Sequence, residues 1–383
     1  MKTFVRNAVT ASILAALCQA GSAVAEDVRW VSGDVEAAFA ADDQNSFPAA
    51  PVPCSLEHFD YAAEPAPDAA SESYGAESCG CTTRCGCGAN RCCRVWTFDY
   101  EVRTFFNSHT SYEFGTGPGT TPAYAPLSKL DWDMDSTWHG LRVGLEKPKW
   151  CIHFEWLTPI ENDIHGQMAD YDWLTPANPS QLDSYTLSDL RWNDGQMLEL
   201  GGEFKWSECF LGLPIEVWPG GGFRFQRLNM TGYGLNYVVP ALGPQPAYDG
   251  VDVIDFNQQY YQLYVGGELR TEFCMLGVPI ELTFQGDWAG TWGFNVDHHL
   301  LRTGGDRYTM ENTDGDAMHL ALIAETPITC RLSVGVRADH MAIDTTGSHR
   351  MVWPSQGADL EWDNGVKAES DQTSIAMFVR LQY

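Results

Sequence analysis

The sequence predicts an all-β protein: a ten-stranded antiparallel transmembrane β-barrel behind a mostly disordered N-terminal extension. Three observations predict it. After Arg94 polar and apolar side chains alternate with period two over run after run. About ten such runs can be counted, an even number as bacterial barrels require. The composition, with 14 Trp, 15 Tyr, 18 Phe and 36 Gly, suits strands and membrane-interface girdles better than a helical bundle.

The chain opens with Lys2 and Arg6, an apolar stretch from Ala8 to Ala20, and Ala23-Val24-Ala25 before Glu26. That is the pattern of a secretory signal over 1–25. A lipoprotein reading through Cys18 is weak, because Leu17 stands where a small residue is wanted. No later window offers the 18 or so apolar residues of a transmembrane helix, so a membrane protein here must cross with strands. The formal net charge of −28 repels a polyanion and excludes nucleic acid as a partner, while favouring basic ones.

Residues 26–94 are rich in Ala, Pro, Glu, Ser and Asp, without periodicity, and read as a poorly ordered periplasmic segment. Within it Cys79, Cys81, Cys85, Cys87, Cys92 and Cys93 are closely spaced. In an exported chain they form either a small disulfide knot or a soft-metal site, and neither reading identifies an activity. An envelope partner bound through this segment is the expectation its location supports.

The barrel is expected over 95–383, with strands at 96–114, 127–146, 150–161, 186–206, 215–230, 256–272, 279–296, 307–326, 330–344 and 367–383. In 198–206, Leu198, Leu200, Phe204 and Trp206 oppose Glu199, Glu203 and Lys205. At the end, Ile375, Met377, Val379, Leu381 and Tyr383 share one face. An apolar outer and polar inner face is the membrane-barrel pattern. Short connections, which belong to the periplasm, alternate with long ones, which belong outside, and Leu211-Gly-Leu-Pro-Ile-Glu216 is echoed by Leu276-Gly-Val-Pro-Ile-Glu281. Each short turn carries a cysteine at or beside it: Cys151, Cys209, Cys274 and Cys330. Turns two strands apart are separated by roughly 10 Å, beyond disulfide reach, so pairing with the Cys-rich segment is expected.

Two short pairs carry the chemistry: Asp170 with Asp172, and Asp297 with His299. Spaced i, i+2, both members of a pair leave one face of extended backbone. By the expected topology both pairs sit on outward hairpins that can face each other across the barrel mouth. Carboxylates there can hold a water while His299, oriented by Asp297, takes its proton. The competing readings are solvated loop charge and a divalent-cation site. No serine-hydrolase elbow or His-Glu-x-x-His helix is present.

At these residues the barrel region resembles the omptin family of outer-membrane proteases. Ser128-Lys-Leu-Asp-Trp132 is similar to the family's second-strand motif, Asp170-Tyr-Asp-Trp173 with Asn178-Pro179 to its aspartate pair, and Asp297-His-His299 to its Asp-x-His dyad. The resemblance implies a metal-free endopeptidase with Asp170, Asp172, Asp297 and His299 as water-activating residues, no cofactor, and a dependence on lipopolysaccharide. It also implies a substrate pocket that contains Glu113, but Asn295 stands where the family's second pocket acid falls. Losing that charge weakens selection for Arg or Lys, although overall acidity still favours cationic polypeptides. The expected function is cleavage of exposed polypeptides at the cell outer membrane, with the site facing outside and the N-terminal segment periplasmic. The alternative is a non-enzymatic barrel: a porin, an adhesin or an envelope anchor.

Overall fold

Alternating side chains make strands, and the structure, a computed structural model, describes them over residues 96–115, 127–173, 175, 181–239, 248–275, 278–301, 306–329 and 331–383. The signal segment, the Cys-rich run and Cys330 lie outside the described residues. In chain order the strands are β1 (Thr97–Phe105), β2 (His109–Phe114), β3 (Ser128–Asp133), β4 (Thr137–Lys147), β5 (Trp150–Pro159), β6 (Asp163–Asp172) and β7 (Ser184–Phe204). Then follow β8 (Glu216–Val239), β9 (Tyr248–Met275), β10 (Val278–His299), β11 (Arg307–Pro327), β12 (Leu332–Trp353) and β13 (Ala358–Gln382).

The expectation of a ten-stranded barrel is corrected: the described residues form one antiparallel sheet of 13 strands, in the order β1-β4-β5-β7-β6-β3-β2-β13-β12-β11-β10-β9-β8, with additional pairings β1–β13 and β7–β8. The difference lies in the first half. The expected strand 96–114 is two strands, and so is 127–146; a sixth strand that the sequence did not announce carries Asp170 and Asp172. As a result β1, β4 and β5 pair among themselves, while β2, β3 and β6 form a separate panel between β13 and β7.

The breaks have local causes. Asn107 takes a left-handed φ of 49°, a conformation that Asn tolerates better than most residues. The Asp135 carboxylate then accepts the backbone N–H groups of Asn107 and Ser108 at 3.1 and 2.8 Å, tying the first break to the second. The third follows Pro159, which has no N–H to offer the ladder. There Asp133 accepts the N–H of Gln167 at 2.9 Å. Gly166 beside it has φ 151°, and a Cβ there would lie 2.3 Å from that of Asp133, so only glycine fits.

From β7 onward the strands lie where expected but run further at the long-loop end; β9 has 28 residues, against the 9–11 or so that cross a bilayer. An apolar band is exposed on their outer face, including Leu263, Val265, Trp288, Met318, Leu322 and Met377. The opposite face is buried and, near the short turns, charged. Arg224 on β8 meets Asp287 on β10 through two 2.7 Å bonds and Glu199 on β7 at 2.6 Å. His319 on β11 bridges Asp287 and Asp339 at 2.9 and 3.0 Å. Arg337 joins Asp339 at 2.7 Å to Glu155 on β5 at 3.4 Å, and Arg103 on β1 reaches the same Glu155 at 3.0 Å. Strands distant in the sheet order therefore meet through their polar face. Toward the far end this face becomes apolar, with Trp132 stacked on Phe256 at 4.5 Å and Trp138 edge-on to Trp192 at 5.3 Å.

The cysteines divide. Cys209 and Cys274 are disulfide-bonded. Cys151 departs from the expected pairing: it is a free, buried thiol that donates to Glu203 Oε2 at 2.6 Å.

Removing one member of a buried ion pair strands its partners, at a cost of about 3–5 kcal/mol. Arg224→Met is thus expected to lower the denaturant midpoint of unfolding clearly; an unchanged midpoint would show that the network contributes nothing.

Candidate active site

Every second residue of β10 from Thr283 to His299 faces the enclosed side, so Asn295, Asp297 and His299 stand in line along one strand. Asp297 lies five residues beyond Trp292, the last exposed apolar residue of β10, about 17 Å along the strand. Asp297 is fully buried. Its Oδ2 sits 3.1 Å from His299 Nε2 and accepts a hydrogen bond from the Tyr112 hydroxyl on β2. Phe256, its register partner on β9, packs against both Trp132 and Tyr112.

Burial pushes the Asp297 carboxyl upward, but the His299 charge, the hydrogen bonds from His299 and Tyr112, and Arg307 outweigh it and hold the group below the usual carboxylate range. Asp297 is therefore ionised although buried. Burial and the Asp297 charge push the Tyr112 phenol well up, so it remains a donor. Arg307, opposite His299 in register, brings Nη2 to 2.5 Å from the same His299 Nε2. Guanidinium only donates and carboxylate only accepts. The bare nitrogen suits Arg307 and the protonated one suits Asp297, so the tautomer decides which of the two it bonds.

Asp170 and Asp172 reach this face from the opposite panel. Tyr112, Leu130 and Asp170 are successive register partners across β2, β3 and β6, as are Phe114, Ser128 and Asp172. Register partners project from one face, so Asp170 shares the face of the tyrosine that binds Asp297. Both aspartates are half-buried. The Asp pair thus lies on a strand, where the sequence placed it on a hairpin loop.

Glu113 goes elsewhere. It is adjacent to Tyr112 on a strand, so it points to the other face, between Lys129 and Lys367 in register. Asn295 stays on the enclosed face, fully buried, opposite Glu311 of β11. Tyr112, Glu311 and His349 were not singled out from sequence. Strand parity within His109–Phe114 was the available signal for Tyr112; Glu311 and His349 meet only through the register of β11 and β12, which sequence does not print. His298 lies on the outer face, stacked on Tyr308 at 4.1 Å. Among the described residues no group of three or more His, Cys, Asp or Glu is arranged to hold a metal ion.

No family profile and no curated protein matches the sequence. Among solved structures the chain is similar to the outer membrane protease OmpT from Escherichia coli, with TM-score 0.65 and 15% identity over 76% of this chain and 97% of that one. It also aligns with the translocator domain of the autotransporter NalP from Neisseria meningitidis, at TM-score 0.31 and 6% identity over 76% and 88% of the two chains. The first likeness is one of fold.

Burial raises the Glu311 carboxyl despite its hydrogen bond from His349. A carboxyl raised in the folded state contributes stability below its unfolded pKa and loses it as pH rises through the folded one. Glu311→Gln, neutral throughout, is expected to melt higher than the parent at neutral pH, with the gap closing near about pH 4, the ordinary Glu range. A gap that widens on acidification would reverse the sign.

Proposed function

We propose that this protein is an outer-membrane endopeptidase that hydrolyses exposed polypeptides with a water activated between the Asp297–His299 dyad and the Asp170–Asp172 pair. The observation that carries the reading is the buried dyad itself: a carboxylate held ionised by His299 and Tyr112, on the same enclosed face as Asp170 and Asp172. In the reaction the water oxygen attacks the peptide carbonyl carbon while His299 takes its proton. Asp297 compensates the imidazolium charge. Collapse of the tetrahedral intermediate breaks the C–N bond and returns the proton to the leaving amine. Asp170 and Asp172 hold the water by accepting from it. No covalent intermediate forms, and general-base assistance of this kind contributes about 10²–10⁴-fold.

The surface supports an outer-membrane location. The exposed apolar band of Leu263, Val265, Trp288, Met318, Leu322 and Met377 fits contact with outer-membrane lipid. The long strand ends, on the side away from the short turns, support a site that faces outside; a periplasmic N-terminal segment belongs to the same proposal. The fold likeness to OmpT supports the same reading. A dependence on lipopolysaccharide belongs to it as a family expectation, and the formal net charge of −28 favours cationic polypeptides. The buried ion pairs that cross the interior disfavour the porin alternative, since they occupy the route a solute would take.

His299→Ala in the refolded full-length chain is expected to reduce cleavage of a quenched peptide library by roughly 10²-fold or more. Hydrolysis unchanged by the substitution would defeat the assignment.

A further inference from the structure

Beside the dyad, Asn295, Glu311 and His349 form a row across β10, β11 and β12, each the register partner of the next. All three are buried. His349 Nδ1 lies 2.8 Å from Glu311 Oε1. A carboxylate only accepts, so Nδ1 donates and the neutral ring leaves Nε2 bare. That nitrogen, the second Glu311 oxygen and both amide atoms of Asn295 have no hydrogen-bond partner. Buried polar atoms are nearly always satisfied in native proteins, so four unsatisfied ones in a row mark a place for a ligand's polar atoms. The ring of Phe114 stacks on His349 at 4.2 Å, at one end of the row.

We propose that this row is the side-chain selectivity pocket of the hydrolytic site and that it takes a primary carboxamide, the side chain of Gln or Asn. The inference rests on the hydrolase reading above. Asn295 presents one donor and one acceptor on a single edge, and a carboxamide reciprocates both. Its second N–H remains for Glu311 Oε2. A guanidinium or ammonium has no acceptor and leaves the Asn295 donor buried without a partner. A carboxylate has no donor and meets Glu311 as well. An apolar side chain satisfies none of the four atoms. Turning the Asn295 amide over exchanges its two atoms and leaves this reasoning unchanged.

The test uses refolded full-length protein and quenched peptides that differ at one residue beside the cleaved bond: Gln, Asn, Glu, Lys, Arg or Leu. Gln or Asn is expected to exceed the others in kcat/KM by roughly 10- to 100-fold, the discrimination that one unpartnered buried group imposes. Asn295→Asp removes the donor and adds a charge, and is expected to move the preference to Arg and Lys. A parent preference for Arg, Lys or Leu would overturn the inference, as would a Gln preference that Asn295→Asp leaves in place; both outcomes leave the hydrolase reading standing. If no peptide is cut, the same peptides are titrated against the protein's tryptophan fluorescence. Tighter binding of the Gln peptide by the parent than by Asn295→Asp would keep the pocket and sink the hydrolase, and equal binding would overturn the pocket.

Discussion

The structure depends on how its enclosed charges are compensated. Carboxylates and guanidiniums from β1, β5, β7, β8, β10 and β12 meet near the short-turn end with the His319 imidazole of β11, and no charge is tolerable there alone. Their bonds fix which strands face each other, because Glu155 cannot reach Arg103 and Arg337 together from a shifted register. A slip of one residue would turn every one of these charges toward the apolar outer face. The network therefore specifies the fold as much as it stabilises it, and it fills the interior below the site.

Above that layer the enclosed face changes character. Trp132, Trp138, Trp192 and Phe256 pack there with Leu and Met side chains, and Phe256, level with Asp297 in register, brings this apolar cluster against the dyad. It also leaves the dyad in a low dielectric, where the hydrogen bond from Tyr112 and the charge of His299 act strongly on Asp297. The three strand breaks serve the same end. By splitting β1 from β2, β3 from β4 and β5 from β6, they create a panel that carries Tyr112, Asp170 and Asp172 on one face.

Much of this was legible in the sequence. The period-two pattern locates the later strands, and the last of them, with Ile375, Met377 and Val379 exposed against buried Ser374, Ala376 and Phe378, is as patterned. The Asp297–His299 spacing survives as a contact because i, i+2 residues on a strand share a face. What was not legible depends on register or on single bonds. The breaks at Asn107 and after Met134 rest on the Asp135 carboxylate, which no periodicity reveals. The resemblance implies Glu113 for the substrate pocket, but the register turns it to the other face and puts Tyr112 inside. Cys151 looked like its neighbours in the turns, yet Glu203 engages it as a thiol.

The central claim is that an Asp–His dyad and an aspartate pair, brought by different strands to one enclosed face, act on one water. A double-mutant cycle in kcat/KM with Asp170→Asn and His299→Ala tests it most directly. Residues that act as a unit are non-additive, so the double variant is expected to lose no more activity than the worse single one. Losses that add, in free-energy terms, would mean that the two pairs serve separate steps, and the account would be wrong.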